Sequence, residues 1–391
     1  MDRDKLIGII STVPFYSQKI ELYCPCVSWE NIPLIDKEIV RENLFLFLNK
    51  NVPSKIEHCR TSGSTGTILN IYWDKKDYLY SLTQLWRFRK QYQVYPQDLY
   101  GTNHAYIYDE YGTPLSPPMV VRKNCTSFSK IDLSFSKLET YAHFIEKQKL
   151  TWLLLQPTFA YQLGIVCKEI GIIFPHLKLI ELTGEMLDET VRKAIEDNFG
   201  VPVINHYGMQ EFNAIAYEDR SRRLRCVEEN VFIEVLNNDG TICQNGEEGN
   251  IVVSTLTNTY MPLIRYKTMD RGFLIEEEGN RYLTITNARS RSLLLNNDHS
   301  YDSSVFFLLT ERLNTYGYGI YQFQYYLKNN YLYCNLISKN SFDNSALEKQ
   351  INDILLESFN ICFDKIVVDQ DSSSISHPIG EKLQYFFNCD A

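Results

Sequence analysis

Arg60-Thr61-Ser62-Gly63-Ser64-Thr65-Gly66-Thr67 is the stretch on which the reading of this chain turns. Small hydroxyl residues and glycines fill Ser62 to Gly66, and a strand-like run, Ile68-Leu69-Asn70-Ile71-Tyr72-Trp73, follows. Glycine lets backbone approach a ligand closely and adopt positive φ. Ser and Thr add hydroxyl donors, and successive backbone N–H groups in such a turn form an anion-binding nest. The chemistry suits a polyphosphate. A flexible Ser/Gly turn or linker is the second reading of the same residues. The lysine that a Walker-type G-x-x-x-x-G-K-[ST] loop places on the phosphates is missing, which disfavours a P-loop NTPase.

Ahead of the loop, Leu34 to Leu44 has helical spacing after Pro33. Beyond it, Asp74 is placed to cap a helix over 75–92, with Leu79, Leu82, Leu85 and Trp86 on one face. From about residue 137 helix and strand patterns alternate. A helix is expected over 137–149 and a buried strand at Trp152-Leu153-Leu154-Leu155. A Thr158-capped helix over 159–171 and a strand at 177–182 come next. Then follow a helix over 187–198 ended by Gly200, and a strand at 201–205. This alternation predicts an α/β domain with a largely parallel sheet, whose ligands bind past the carboxyl ends of the strands. Thr183-Gly184-Glu185 and His206-Tyr207-Gly208-Met209-Gln210-Glu211 fall at such ends. After 225 the texture turns to β, with hairpin turns expected at Glu247-Glu248 and Glu276-Glu277-Glu278. Residues 301–391 read as a compact α+β module in the order helix, strand, strand, helix, strand.

With 391 residues the chain is too long for one hydrophobic core. A net charge of −9 argues against a nucleic-acid partner. The 27 Tyr and 21 Phe make aromatic-lined pockets easy to build. Of the ten Cys only Cys24 and Cys26 are close, and C-x-C alone is no zinc framework. No apolar run has the length of a membrane span or a signal peptide. These features lead us to expect a cytoplasmic protein with reduced thiols.

Several separated motifs resemble those of the adenylate-forming superfamily of acyl-CoA synthetases, adenylation domains and luciferases, in its phenylacetate–CoA ligase-like branch. Asn31 to Lys37 is similar to that branch's "P-x-x-x-K" lead-in, and Thr61 to Gly66 to the superfamily phosphate loop. Thr183-Gly184-Glu185 resembles "G-G-E", and Tyr207 to Glu211 resembles "Y-G-M-T-E". The most specific stretch is Met261-Pro262-Leu263-Ile264-Arg265-Tyr266-Lys267-Thr268-Met269-Asp270, beside "M-P-L-I-R-Y-R-T-G-D".

The resemblance implies a large α/β adenylate-forming domain with a β subdomain over 1–288, and a small mobile C-terminal α+β domain over 289–391. It implies that ATP and a carboxylic acid give an acyl-adenylate and pyrophosphate, and that the acyl group then passes to CoA or to the phosphopantetheine of an acyl or peptidyl carrier protein. On it, Thr61, Ser62, Gly63, Ser64, Thr65 and Gly66 would hold the β,γ-phosphates. Glu211 would bind Mg²⁺, Asp270 the ribose hydroxyls, and Tyr207 the adenine, with Gly208, Met209 and Gln210 beside it. Gly184 and Glu185 would shape the adenine and acyl site, and Arg289 would reach ribose or phosphate. Lys382, in Gly380-Glu381-Lys382, would bridge the acyl carboxylate and the α-phosphate. Gln156, Pro157, Asn205 and His206 would line an acid pocket suited to an aryl or small apolar acid. No metal beyond Mg²⁺ is expected.

Departures from the pattern bear on turnover. Thr67-Ile68 stands where relatives have Lys-Pro. Gln210 replaces a threonine and Met269 a glycine, and the hinge acid is absent after Arg289. Two alternatives therefore stay open: a member that binds nucleotide or acyl ligand without turnover, and an adenylating enzyme that makes an amide with an amine.

Overall fold

The computed structural model describes residues 8, 12–19, 29, 32–61, 69–105, 107–108, 113–131, 133–287, 294–296, 299–301, 305–371, 375 and 386–388. The chain divides into two compact units: Met1–Pro96 with Ile204–Arg289, and Gln97–Val203 with Ser290–Ala391.

The first unit is built on antiparallel β structure. Its strands run in the spatial order Val231–Leu236, Gly249–Thr255, Tyr266–Glu277, Asn280–Asn287, Leu224–Cys226, Asn213–Glu218 and Val203–Met209. A separate hairpin pairs Ile56–Arg60 with Asn70–Asp74, Arg60 lying opposite Asn70. The turns lie beside the acidic runs expected to make them. Glu276 and Glu277 end a strand, and Glu278 and Gly279, both at positive φ, join Glu277 to Asn280, while the turn ahead of Glu247-Glu248 falls at Asn245-Gly246. Trp73, Ile71, Phe212, Ile215, Val253, Ile264 and Tyr266 belong to one buried cluster under these strands. Asp74 caps as expected, accepting from the Lys76 N–H at 2.9 Å. The helix it starts is shorter than expected. It spans Lys75–Thr83, and a further turn, Trp86–Arg89, leads into a 3₁₀ turn at Lys90–Tyr92. Leu79, assigned to the apolar face, is exposed, whereas Ser81 is buried. The Ser81 hydroxyl accepts from Asn213 Nδ2 at 2.6 Å, so a polar contact holds the face the leucine pattern was expected to hold.

The second unit carries the parallel sheet that the alternating pattern predicts. Leu179–Thr183, Trp152–Leu155, Tyr100–His104 and Cys125–Ser129 run parallel, with Met119–Arg122 added antiparallel at the edge. Its helices are Phe135–Lys147, Pro157–Glu169 and Glu189–Phe199. Thr158 does not cap the middle one. The helix begins at Pro157, where proline's missing N–H costs nothing. The smaller C-terminal sheet has the order Lys365–Asp369, Tyr331–Ser338, Ile320–Lys328, Phe386–Asn388, its outer strands parallel to their neighbours and its central pair antiparallel. Helices Val305–Thr315 and Asn344–Phe359 complete it. One buried cluster runs through both segments of this unit, from Phe128 to Val203 and from Val305 to Phe386. Phe307 and Phe323 meet the Tyr161 ring edge-on, at 5.6 and 6.0 Å. Among the described residues no helix is long and apolar enough to cross a membrane.

Candidate active site

In the first unit Tyr207-Gly208-Met209-Gln210-Glu211 ends one strand and turns into the next. His206 pairs with Tyr217 and Met209 with Asn213, and the register breaks between Tyr207 and Gly208. A Cβ on Gly208 would lie 2.4 Å from the Asn213 carbonyl oxygen, so only glycine allows this approach. Next to this bulge, the Tyr207 hydroxyl donates to Asp270 Oδ2 at 2.6 Å. Asp270 is 5% exposed, and its own N–H donates to Thr268 Oγ1. Glu211 is 3% exposed, and its Oε1 accepts from the Tyr266 hydroxyl at 3.1 Å. Two expected ligand carboxylates are thus each held by a phenol, and all four groups come from two motifs, Tyr207–Glu211 and Met261–Asp270. Gln210 is exposed, and its carbonyl accepts from the Trp73 indole.

The departure at Met269 has a backbone cause. Asn250 pairs with Arg271 and Val252 with Lys267, so Thr268, Met269 and Asp270 stand opposite Ile251 alone. Some bulges place a residue in left-handed backbone, usually glycine, and here Met269 has φ +68. Its side chain is turned out, 68% exposed, between fully buried Thr268 and buried Asp270. The glycine of the relatives' "R-T-G-D" is the residue this geometry favours, yet Asp270 keeps its bond from Tyr207 without it.

Arg265 in the same motif acts on the fold. It is buried at φ +54; its Nη1 donates to the Ile32 carbonyl at 3.0 Å, and its Nε lies 3.4 Å from Glu234 Oε2. The Ile35 N–H donates to the Arg265 carbonyl, and the Lys267 N–H donates to the Ile35 carbonyl. The lead-in motif and the "M-P-L-I-R-Y" motif are therefore one structural element. Thr61 closes the base of the hairpin. Its N–H donates to the Leu69 carbonyl and its Oγ1 accepts from the Leu69 N–H, both at 3.0 Å. Ser62, Gly63, Ser64, Thr65 and Gly66 lie outside the described residues, as do Arg289 and Lys382. The Asn205 N–H donates to Glu218 Oε2, and the His206 ring lies 5.4 Å from that of Tyr217.

In the second unit Gly184, at φ +87, turns the chain after Leu179–Thr183. Glu185 then reaches back to the helix Pro157–Glu169, where its Oε2 accepts from both the N–H (3.0 Å) and the hydroxyl (2.6 Å) of Thr158. A carboxylate at a helix N-terminus satisfies orphan N–H groups and meets the positive end of the dipole. This leaves Gln156, at the cap position, for other work. Its Oε1 accepts from Lys130 Nζ at 2.6 Å and Asn103 Nδ2 at 3.0 Å, and its N–H donates to Asn103 Oδ1. Gln156, Pro157, Gly184 and Glu185 thus come together. Sequence reading missed Lys130, Asn103 and Gln162. Only Gln162 left a trace, as a lone amide among buried apolar helix positions.

A single carboxylate such as Glu211 fits Mg²⁺, which commonly takes one or two protein carboxylates and completes its shell with phosphate and water. Among the described residues no group of three or more His, Cys, Asp or Glu side chains could enclose a metal.

This architecture is that of the adenylate-forming enzymes. The chain belongs to the AMP-binding enzyme family, which matches residues 59–260. It is 32% identical over 87 residues to phenylacetate-coenzyme A ligase of Escherichia coli (strain K12), a match covering 21% of this chain and 20% of that protein. The chain thus aligns with about a fifth of that relative's length. In fold it is similar to 2-hydroxyisobutyryl-CoA ligase in the postadenylation state in complex with R3-HIB-AMP, with a TM-score of 0.72 at 16% identity over 98% of this chain and 89% of that one. It is also similar to the anthranilate CoA ligase AuaEII in complex with anthranoyl-AMP, with a TM-score of 0.54 at 17% identity over 84% and 64%.

Proposed function

We propose that the protein activates a carboxylic acid with ATP and hands the acyl group to a thiol. The observation that carries this reading is the pairing of Tyr207 with Asp270 and of Tyr266 with Glu211, because it assembles groups for ribose and phosphate recognition from motifs far apart in the chain. A carboxylate oxygen of the acid attacks the α-phosphorus of ATP and pyrophosphate leaves. The thiolate then adds to the acyl carbonyl and AMP leaves. The first step needs positioning and charge neutralisation more than covalent help from the protein. Asp270 accepts from the ribose hydroxyls, with its free rotation removed by Tyr207. Glu211 would hold Mg²⁺, which neutralises phosphate charge when bound. Ser62 to Gly66 supply N–H and hydroxyl donors to the leaving pyrophosphate, and Lys382 on the 289–391 domain supplies the point charge at the α-phosphate.

The acid is small. Solved relatives of this fold hold R3-HIB-AMP and anthranoyl-AMP, which supports a compact aliphatic or aryl acid. CoA is the acceptor we favour, and a carrier protein is the second, since McyG A-PCP with phenylalanyl-adenylate shares the fold at a TM-score of 0.56. The described cysteines are free thiols, which suits the reducing cytoplasm. ATP–pyrophosphate exchange with a panel of aryl and short aliphatic acids tests the reading, followed by product analysis with CoA, carrier protein and amines. Nucleotide binding with no exchange for any acid would replace it with a binding role.

A further inference from the structure

Beside the helix Pro157–Glu169 lies a recess of about 10 Å³, lined by Lys130, Gln156, Thr158, Gln162 and Glu185, with Phe159 in its apolar wall. Gln162 is 1% exposed, and neither its Oε1 nor its Nε2 has a hydrogen-bond partner among the described residues. Glu185 Oε2 is committed to Thr158, while its buried Oε1 has no partner among them. Buried polar groups are nearly always satisfied, and an exception calls for a missing partner. Here three such atoms, an amide donor, an amide oxygen and a carboxylate oxygen, belong to two residues that line one space, and that space holds a single oxygen-sized group.

Resting on the adenylation reading, we infer that this recess takes a hydroxyl group carried by the acid substrate, so that the preferred substrate is a hydroxy acid. A hydroxyl has one donor and two acceptor positions. It meets two of the three atoms: it donates to Glu185 Oε1 and accepts from Gln162 Nε2, and its single proton does not serve Gln162 Oε1 as well. An ammonium group would meet the carboxylate as well, but it would lie beside Lys130, whose Nζ is 2.6 Å from Gln156 Oε1 in the same lining. A methyl group would leave both the amide and the carboxylate unsatisfied, and a methoxy group, which accepts but cannot donate, would leave the carboxylate unsatisfied. Sites built to hydrogen-bond a substrate hydroxyl reject the analogue that lacks it far more strongly than apolar pockets discriminate a methylene. This modifies the expectation of a purely apolar acid: one polar point is set into an apolar wall.

The test is pyrophosphate exchange by the full-length protein with matched series: phenylacetate, its 4-hydroxy and 4-methoxy derivatives; benzoate, its three hydroxy isomers and their methyl ethers; butyrate, 3-hydroxybutyrate and 3-methoxybutyrate. At least one hydroxylated member is expected to exceed both its deoxy and its ether partner by about tenfold or more in kcat/KM. In Gln162→Met that ratio is expected to fall to within about threefold. Thermal melting of the wild-type protein with the same series needs no turnover and no variant. The hydroxylated member should raise the midpoint more than its partners. Equal treatment of hydroxy, deoxy and ether members, or a preference that survives Gln162→Met, would overturn the inference and leave the recess to a resident water. Exchange with no acid at all would instead remove the adenylation reading, and the melting series would then decide the recess by itself.

Discussion

Met269 offers a substitution whose sign is set by backbone geometry alone. Its φ of +68 puts an L-residue in the left-handed region, and its 68% exposed side chain contributes little packing. Left-handed backbone costs a residue with a Cβ about 1–2 kcal/mol. Glycine escapes that cost but loses about 0.5–1 kcal/mol more chain entropy on folding than alanine. The difference leaves Met269→Gly more stable than Met269→Ala by about 0.5–1 kcal/mol, the reverse of the order at ordinary strand positions. Trimming the partly covered methionine to alanine costs both variants the same packing, about 0.5 kcal/mol for a third of a side chain. The alanine variant should therefore fall below wild type and the glycine variant should match or slightly exceed it. Urea unfolding followed by circular dichroism reads the gap. With m near 2–3 kcal/mol/M, the midpoints should differ by about 0.2–0.5 M, glycine higher, at equal slopes. An alanine variant as stable as the glycine variant, or more so, would refute the claim that strain at Met269 marks the relatives' glycine.

Two further substitutions probe the carboxylates. Tyr207→Phe removes the donor to buried Asp270, and a lost hydrogen bond to a charged group should raise KM for ATP about tenfold, or about 1.4 kcal/mol, with kcat at saturating ATP little changed; an unchanged KM would take Asp270 out of the nucleotide site. Burial raises the Glu311 carboxyl above its ordinary range, and the hydrogen bond from Tyr161 only partly offsets this. Its folded pKa thus lies above the unfolded one. The stability it contributes is whole below the ordinary carboxylate range and is lost as pH rises through the folded value. Glu311→Gln, neutral throughout, should melt with wild type near pH 4 and above it near pH 8; a melting difference that did not depend on pH would show that burial leaves this carboxyl unshifted.

Much of the fold was legible because it rests on periodicity and punctuation. The parallel strands Trp152–Leu155 and Leu179–Thr183 alternate with helices where their apolar runs indicate, and Gly200 ends its helix at φ +70. Tyr100–His104 and Cys125–Ser129, which carry polar residues and no such run, were not legible as strands. Helix starts were less legible, since they depend on contacts across the chain. Thr158 reads as a local cap, yet the group at that helix end is Glu185, which no local pattern ties to it. The long helix after Asp74 failed for a similar reason: Leu79 has the right spacing, but Asn213 reaches Ser81 instead. At the site, residue types were legible and partners were not. Asp270 and Glu211 stand out as motif acids, whereas the phenols that hold them are visible only once the strands are paired. Gln162 shows the limit clearly. A glutamine among buried helix positions could be a satisfied core residue or an unmet one, and only the absence of a partner among the described residues separates the two.

The same reasoning bears on the arginine that the most specific motif carries. An arginine beside an expected nucleotide site suggests a phosphate ligand, since its guanidinium matches phosphate geometry. Arg265 is 4% exposed, and Ile32 and Glu234 engage its guanidinium. Removing one partner of a buried ion pair strands the other charge, which costs more than the pair itself contributes. Arg265 is therefore tied to the strand Val231–Leu236, which supplies Glu234, and to the lead-in segment, which supplies the Ile32 carbonyl. Residues 265–270 form one device: Arg265 anchors the segment, Tyr266 donates to Glu211, and the bulge at Met269 turns Asp270 inward to Tyr207. On this account the motif is strict where it folds and tolerant where it faces solvent. Met269 can depart from glycine at a modest cost in strain, because its side chain points away from every group the site uses.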